Sequence, residues 1–84
     1  MLSIYKYVIL RENPFTLSMP AEARFLDLQM QRGDAVMWFL VRLSNPVVEQ
    51  NFKVVETGQI FPESAAYIGT YQKDGYVWHV FKGR

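Results

Sequence analysis

Apolar and polar residues alternate with a period of two through most of the chain, and turn-forming residues interrupt them about every ten positions, the pattern of half-buried strands. Ile4 to Leu10 reads as a first strand, with Tyr5, Tyr7 and Ile9 on one face and Ile4, Lys6 and Val8 on the other. Arg11-Glu12-Asn13-Pro14 is a turn. Phe15, Leu17 and Met19 then alternate with Thr16 and Ser18, and Pro20 stops that strand because it has no N–H to donate to a ladder. Ala21-Glu22-Ala23, behind Pro20, has the make-up of a helix start. The next stretch argues for a strand instead, since Leu26, Leu28 and Met30 alternate with Asp27, Gln29 and Gln31. Arg32-Gly33-Asp34 is a tight turn, so this strand and Ala35 to Leu43 form a hairpin.

The Ala35–Leu43 strand is apolar on both faces: Val36, Trp38 and Leu40 oppose Met37, Phe39, Val41 and Leu43. Such a strand needs cover on both sides, from the core on one and from a helix, a second sheet or another subunit on the other. Ser44-Asn45-Pro46 ends it. Phe52, Val54 and Val55 form a further strand, closed by Glu56-Thr57-Gly58. Ile60 to Ala66 is the least strand-like segment, and Pro62 to Ala66 suits one helical turn. Tyr67 to Gln72 and Tyr76 to Lys82 flank Lys73-Asp74-Gly75, whose Asp-Gly is the strongest hairpin signal in the chain. The expected fold is mainly β: a small antiparallel β-sandwich or barrel of about seven strands with at most one short helical turn.

Length restricts how such a fold is stabilised. With 84 residues, residues 1–84 form one domain around one core. A chain of this size buries only roughly 60–65% of the surface it exposes when unfolded, so its stability is marginal. There is no cysteine and only one histidine, which excludes a disulfide and a zinc site of the usual Cys and His ligands. A dense aromatic core, or added burial by self-association, remains. The 50% hydrophobic content suits both, and a homo-oligomer is expected. The lack of cysteine fits a reducing compartment. No signal peptide pattern opens the chain, and its longest uncharged apolar run, Ala35 to Val41, falls far short of the ~20 residues that span a bilayer. A cytoplasmic protein without membrane attachment is expected. The net charge is +1 and the basic residues are scattered, so duplex nucleic acid is not an expected partner.

Catalytic groups are scarce. The only imidazole, His79, sits between β-branched and aromatic neighbours, where a core or edge histidine with one satisfied hydrogen bond competes with a ligand-binding or catalytic role. No serine lies in a Gly-x-Ser-x-Gly pattern, and the carboxylates never come in close pairs. Phosphate-cradling loops are absent, and neither a cofactor nor a metal is expected. Arg32-Gly33-Asp34 matches an adhesive tripeptide, but a hairpin turn explains it better in a cysteine-free chain. Thr57-Gly58 and Gly69-Thr70 each set a glycine beside a hydroxyl, permitting close approach of a ligand or, more simply, a bulge or strand crossing. Tyr5, Tyr7, Trp38, Tyr67, Tyr71, Tyr76 and Trp78 exceed what so small a core can hide, so some belong to a contact surface. Rings paired with Arg42, Lys53 or Arg24 would hold a nucleotide by stacking and charge-assisted phosphate bonds. The rival use of such rings is a protein-binding hot spot. The candidate ligand-binding residues are Arg42, Lys53, Trp38 and His79, with Thr57 and Gly58 offering backbone approach.

Ile4-Tyr5-Lys6-Tyr7, Met19-Pro20-x-x-Ala23, Leu28-Gln29, Trp38, Phe52, Thr57-Gly58, Tyr67-Ile68-Gly69-Thr70 with Gln72, and Val77-Trp78-His79-Val80-Phe81 together resemble a family of small uncharacterised proteins of tailed bacteriophages and prophages, a domain of unknown function. The likeness spans nearly the whole chain. It implies a source and a fold outline, and carries over no catalytic residue. Small phage proteins of this kind are expected to antagonise host antiviral defence. One route is a sponge that sequesters a nucleotide signal; another is an inhibitor docked on a host defence or transcription complex, in the manner of anti-CRISPR proteins. A minor virion or assembly protein is a third.

Overall fold

A computed structural model describes residues 1–83. Seven strands follow one another: β1 (Leu2–Val8), β2 (Phe15–Pro20), β3 (Arg24–Gln31), β4 (Asp34–Arg42), β5 (Val47–Glu56), β6 (Ala66–Lys73) and β7 (Tyr76–Lys82). They form two antiparallel sheets, β1-β4-β3 and β2-β5-β7-β6, packed as a sandwich, with no helix among the described residues. The segment Pro62–Ala65 makes a single hydrogen-bonded turn (Ala65 N–H to Pro62 O, 3.0 Å), and the chain turns again at Ala21–Glu22, where Glu22 has φ 63° and Ala21 N–H donates to Pro46 O (2.8 Å).

Two hairpins follow directly from their turn residues. Arg32 and Gly33 have φ of 51° and 84°, and Asp74 and Gly75 have 54° and 82°. Two consecutive left-handed residues give the two-residue turn whose twist matches that of the flanking strands. Asp34 therefore belongs to β4, paired with Gln31, and the turn itself is only Arg32-Gly33.

Phe39 lies at the centre of the core and is fully buried. Its ring meets Tyr7 (5.9 Å) and Phe25 (5.6 Å) from the neighbouring strands and Phe52 (6.1 Å) from the opposite sheet, each edge to face. Phe52 in turn stacks on Phe15 at 5.3 Å. Met37 and Val41 of β4, Met19 of β2, and Val54 and Val80 of β5 and β7 complete the interior. The inward residues of β4 are thus the odd-numbered ones, while Val36, Trp38 and Leu40 point out of the sandwich.

Two bulges adjust this pattern. The β3 register slips between Phe25 and Asp27, making Leu26 an extra, exposed residue, so that Phe25 and Leu28 pack against the core three positions apart. The even alternation expected of Leu26, Leu28 and Met30 is broken there. The β6 register slips between Tyr67 and Gly69. Gly69 lies against Leu28, and a Cβ there would come within 2.8 Å of Leu28 Cδ2. The two bulged strands thus approach each other and close one side of the sandwich.

Strand β5 is longer than the Phe52–Val55 expected, because Val47–Asn51 also pairs with β2. Its polar Glu49, Gln50 and Asn51 conceal the alternation. Beyond the Phe15–Phe52 pair, the place of a β2 backbone partner is taken by the Asn13 side chain. Its Nδ2 donates to Val54 O (2.6 Å) and its Oδ1 accepts from Val54 N–H (2.9 Å). No helix of the described residues is long and apolar enough to cross a membrane.

Phe39→Ala is expected to cost about 3–5 kcal/mol, comparable with the whole stability of a domain this small. Asn13→Ala, which strands both Val54 groups, is expected to cost about 1–3 kcal/mol. Urea unfolding followed by far-UV circular dichroism measures both.

Candidate functional site

The strand registers separate the residues singled out by the sequence. On the outer face of β1-β4-β3, Trp38 lies between Lys6 and Asp27, and Arg42 lies beside Leu2. On the outer face of the other sheet, His79 lies between Val55 and Thr70, and Lys53 beside Phe81. The full thickness of the sandwich separates the two sets. Trp38 and Arg42 do not share a pocket with His79 and Lys53, whereas Thr57, Gly58 and His79 do come together.

His79 is held from both sides. Thr57 Oγ1 lies 2.7 Å from Nε2 and Thr70 Oγ1 lies 3.0 Å from Nδ1, with Tyr67 Oη in turn hydrogen-bonded to Thr70. In a neutral imidazole one nitrogen donates and the other accepts, so one threonine donates to the ring and the other accepts from it. Both nitrogens are occupied within the chain. No carboxylate belongs to this row, and among the described residues no three His, Cys, Asp or Glu side chains cluster as metal ligands. The Thr57–His79 hydrogen bond ties a turn to the sheet. The turn it holds is Glu56–Gln59, closed by Gln59 N–H to Glu56 O (3.0 Å), with Gly58 at φ 97°.

The loop beyond that turn folds over the sheet and sets Phe61 edge-on to Phe81 at 4.8 Å. The hollow beneath it is about 290 Å³ and is walled by Val55, Phe61, Tyr67, His79 and Phe81, with Glu56 its one charged lining residue among the described residues. That carboxylate repels an anion. Lys53 lies in a neighbouring shallow groove with Gln59 and Ile60.

Rings and cations meet elsewhere, at the end of the sandwich where β1 leaves, β4 begins and β6 turns into β7. A pocket of about 350 Å³ there has Tyr71, Tyr76 and Trp78 among its walls, Ile9 and Val54 in its apolar part, and Arg11, Lys73 and Asp74 as its charged groups. Tyr76 and Trp78 lie 6.0 Å apart with their planes tilted 49°. Trp78 reaches this pocket because it shares the inward face of β7 with Val80. Tyr71 reaches it because of the β6 bulge. In an unbroken strand Tyr67 and Tyr71 would share a face; the extra residue sends Tyr67 outward beside Phe81 and Tyr71 inward opposite Trp78. Partial burial raises the Tyr71 phenol above its ordinary pKa. Tyr7 is raised likewise, first by burial and then by the neighbouring Tyr5 phenol.

The sequence reading did not single out Arg11, Lys73, Tyr71, Tyr76 and Trp78 as a group. The available signals were the glycine within β6, which marks a bulge, and the Asp-Gly turn that brings Tyr71, Tyr76 and Trp78 onto one hairpin.

Fold and pocket define a small two-sheet antiparallel sandwich with a ring-lined cleft at one end. The chain belongs to the family described as Domain of unknown function (DUF7352), which matches residues 1–84. No curated protein matches it, and no solved structure does.

A phenol whose pKa is raised by folding adds stability that is complete below its unfolded value and is lost as pH rises through the folded one. The urea midpoint is therefore expected to fall above the ordinary tyrosine value of 10.0, and to fall less steeply in Tyr71→Phe. Urea titrations at successive alkaline pH values measure this.

Proposed function

We propose that this domain binds a small aromatic anion of the nucleotide class in the end pocket and does not transform it. The observation that carries this reading is the meeting of Tyr71, Tyr76 and Trp78 with Arg11 and Lys73, two cations against the single carboxylate of Asp74, in one cleft of about 350 Å³. Rings give a base a stacking surface, guanidinium and ammonium groups bind phosphate by charge-assisted hydrogen bonds, and the volume is at the small end of the range for ligand pockets. It suits one base with its phosphate. A larger cyclic oligonucleotide would insert only one of its units.

Binding without turnover makes the protein a sponge. The resemblance to phage and prophage proteins supplies the setting: a phage-encoded protein that removes a nucleotide signal of antiviral defence in the host cytoplasm. A second reading, an inhibitor docked on a host defence protein, is favoured by the loop tip Ile60-Phe61, where Ile60 is 90% exposed. Apolar tips of this kind are suited to anchoring on a partner.

Calorimetric titration with ribonucleoside monophosphates tests the ligand reading. Binding in the micromolar range is expected, weakened at least about tenfold by Trp78→Leu and by the Arg11→Ala/Lys73→Ala double variant, since one charge-assisted contact alone is worth about 1.5–3 kcal/mol. Arg42→Ala and Lys53→Ala should leave it unchanged. No heat from any of the four nucleotides at ~1 mM, or binding indifferent to Trp78 and both cations, contradicts the reading.

A further inference from the structure

We infer that the outer face of β1-β4-β3 is the contact surface of a two-fold dimer of this chain. This goes beyond the ligand-binding reading and shares no residue with the lining of the end pocket.

The face is apolar at its centre and incompletely covered. Val36 is only 2% exposed although it points outward, and a hydrogen bond from Lys6 Nζ on β1 to Gln31 Oε1 on β3 (2.9 Å) passes over β4 beside it. Higher on the face nothing in the described chain does the same. Ile4 is 61% and Leu2 51% exposed, with Trp38 and Leu40 half-buried between the strands. An apolar β4 face of this kind calls for a covering surface.

The order of residues identifies what covers it. The strand registers give four rows: Leu2 and Arg42; Ile4, Leu40 and Arg24; Lys6, Trp38 and Asp27; Val8, Val36 and Gln29. A half-turn about an axis lying across the strands, between the second and third rows, makes the face its own complement. Leu40 then meets Trp38 of the second copy, and Leu2 meets its Val8. Arg24 meets its Asp27, and by symmetry this opposite-charge contact occurs twice. Ile4 lies against the aliphatic stem of the second copy's Lys6, whose amine is held aside by Gln31. Arg42 meets the second copy's Val36, beside which the Lys6 amine is held, so one like-charge approach, also repeated by symmetry, lies at the outermost rows, away from the central Arg24–Asp27 contacts. Asp27 is already fixed in place, its carboxylate accepting from Leu28 N–H (2.9 Å) and Gln29 Nε2 (2.7 Å). A surface that matches itself under a two-fold rotation is the defining property of an isologous interface.

Strands roughly 4.8 Å apart and rising about 3.4 Å per residue make this three-strand face smaller than the ~800 Å² per partner of a standard interface. The dimer is accordingly expected to be weak, with a dissociation constant in the micromolar range.

Sedimentation velocity from ~1 µM to ~1 mM reads the equilibrium. Wild type is expected to pass from monomer to dimer. Arg24→Glu and Asp27→Arg should each weaken dimerisation at least about tenfold, and an equimolar mixture should recover it, because the mixed pair restores opposite charges at both contacts. Asp27→Arg also removes hydrogen bonds within β3, so Ile4→Lys, at an exposed position, serves as a second variant and should likewise be monomeric. Circular dichroism reports that each is folded. A wild type that stays monomeric throughout overturns the inference and leaves the face to a different partner. Dimers that withstand Ile4→Lys and both charge reversals overturn it as well, as does a mixture of folded variants that fails to recover.

Discussion

The sandwich depends on the burial of Phe39 against rings from both sheets. It meets Tyr7 and Phe25 within its own sheet and Phe52 across the interior, and Phe52 carries the contact on to Phe15. A chain with no disulfide must draw its stability from such a cluster, because edge-to-face and stacked rings remove the most apolar area per residue. This interior is narrow. Once Phe15, Phe25, Phe39 and Phe52 are inside, little space remains for the larger polar rings, and Tyr71, Tyr76 and Trp78 are left at the open end, where they wall a cleft.

Much of the fold was legible in the sequence. The Asp74-Gly75 and Arg32-Gly33 hairpins, the two faces of β1, the Phe15–Met19 alternation and the strand count all follow from side-chain parity and turn chemistry. Errors arose where parity is interrupted. Leu26 and Ile68 are bulge residues, and each shifts the downstream strand by one position so that neighbours of equal parity separate. The first half of β5 was missed for a different reason: Glu49 and Asn51 sit on its wet outer side opposite Ser18 and Thr16, and the polar run resembles a loop.

The site was less legible than the fold, because a pocket is built from residues distant in sequence. Chemistry by residue type pointed to rings beside cations, and that combination exists, but Trp38 and Arg42 lie on one outer face and His79 and Lys53 on the other. His79 is spent on Thr57 and Thr70 and fixes a turn. Only the register slip in β6, together with the bend at Arg11–Asn13, brings Tyr71, Trp78, Lys73 and Arg11 to one opening. No local spacing encodes that meeting. It results from two sheets ending at the same level.

The chain has two tryptophans, one lining the end pocket and one on the outer face of the opposite sheet. Their indole N–H signals in a proton–nitrogen correlation spectrum therefore report on the two places separately. Titration with a nucleoside monophosphate should shift the Trp78 signal and leave that of Trp38 in place. A Trp38 signal that moves while Trp78 stays fixed, or two signals that both ignore the ligand, would contradict a nucleotide site at the end of the sandwich.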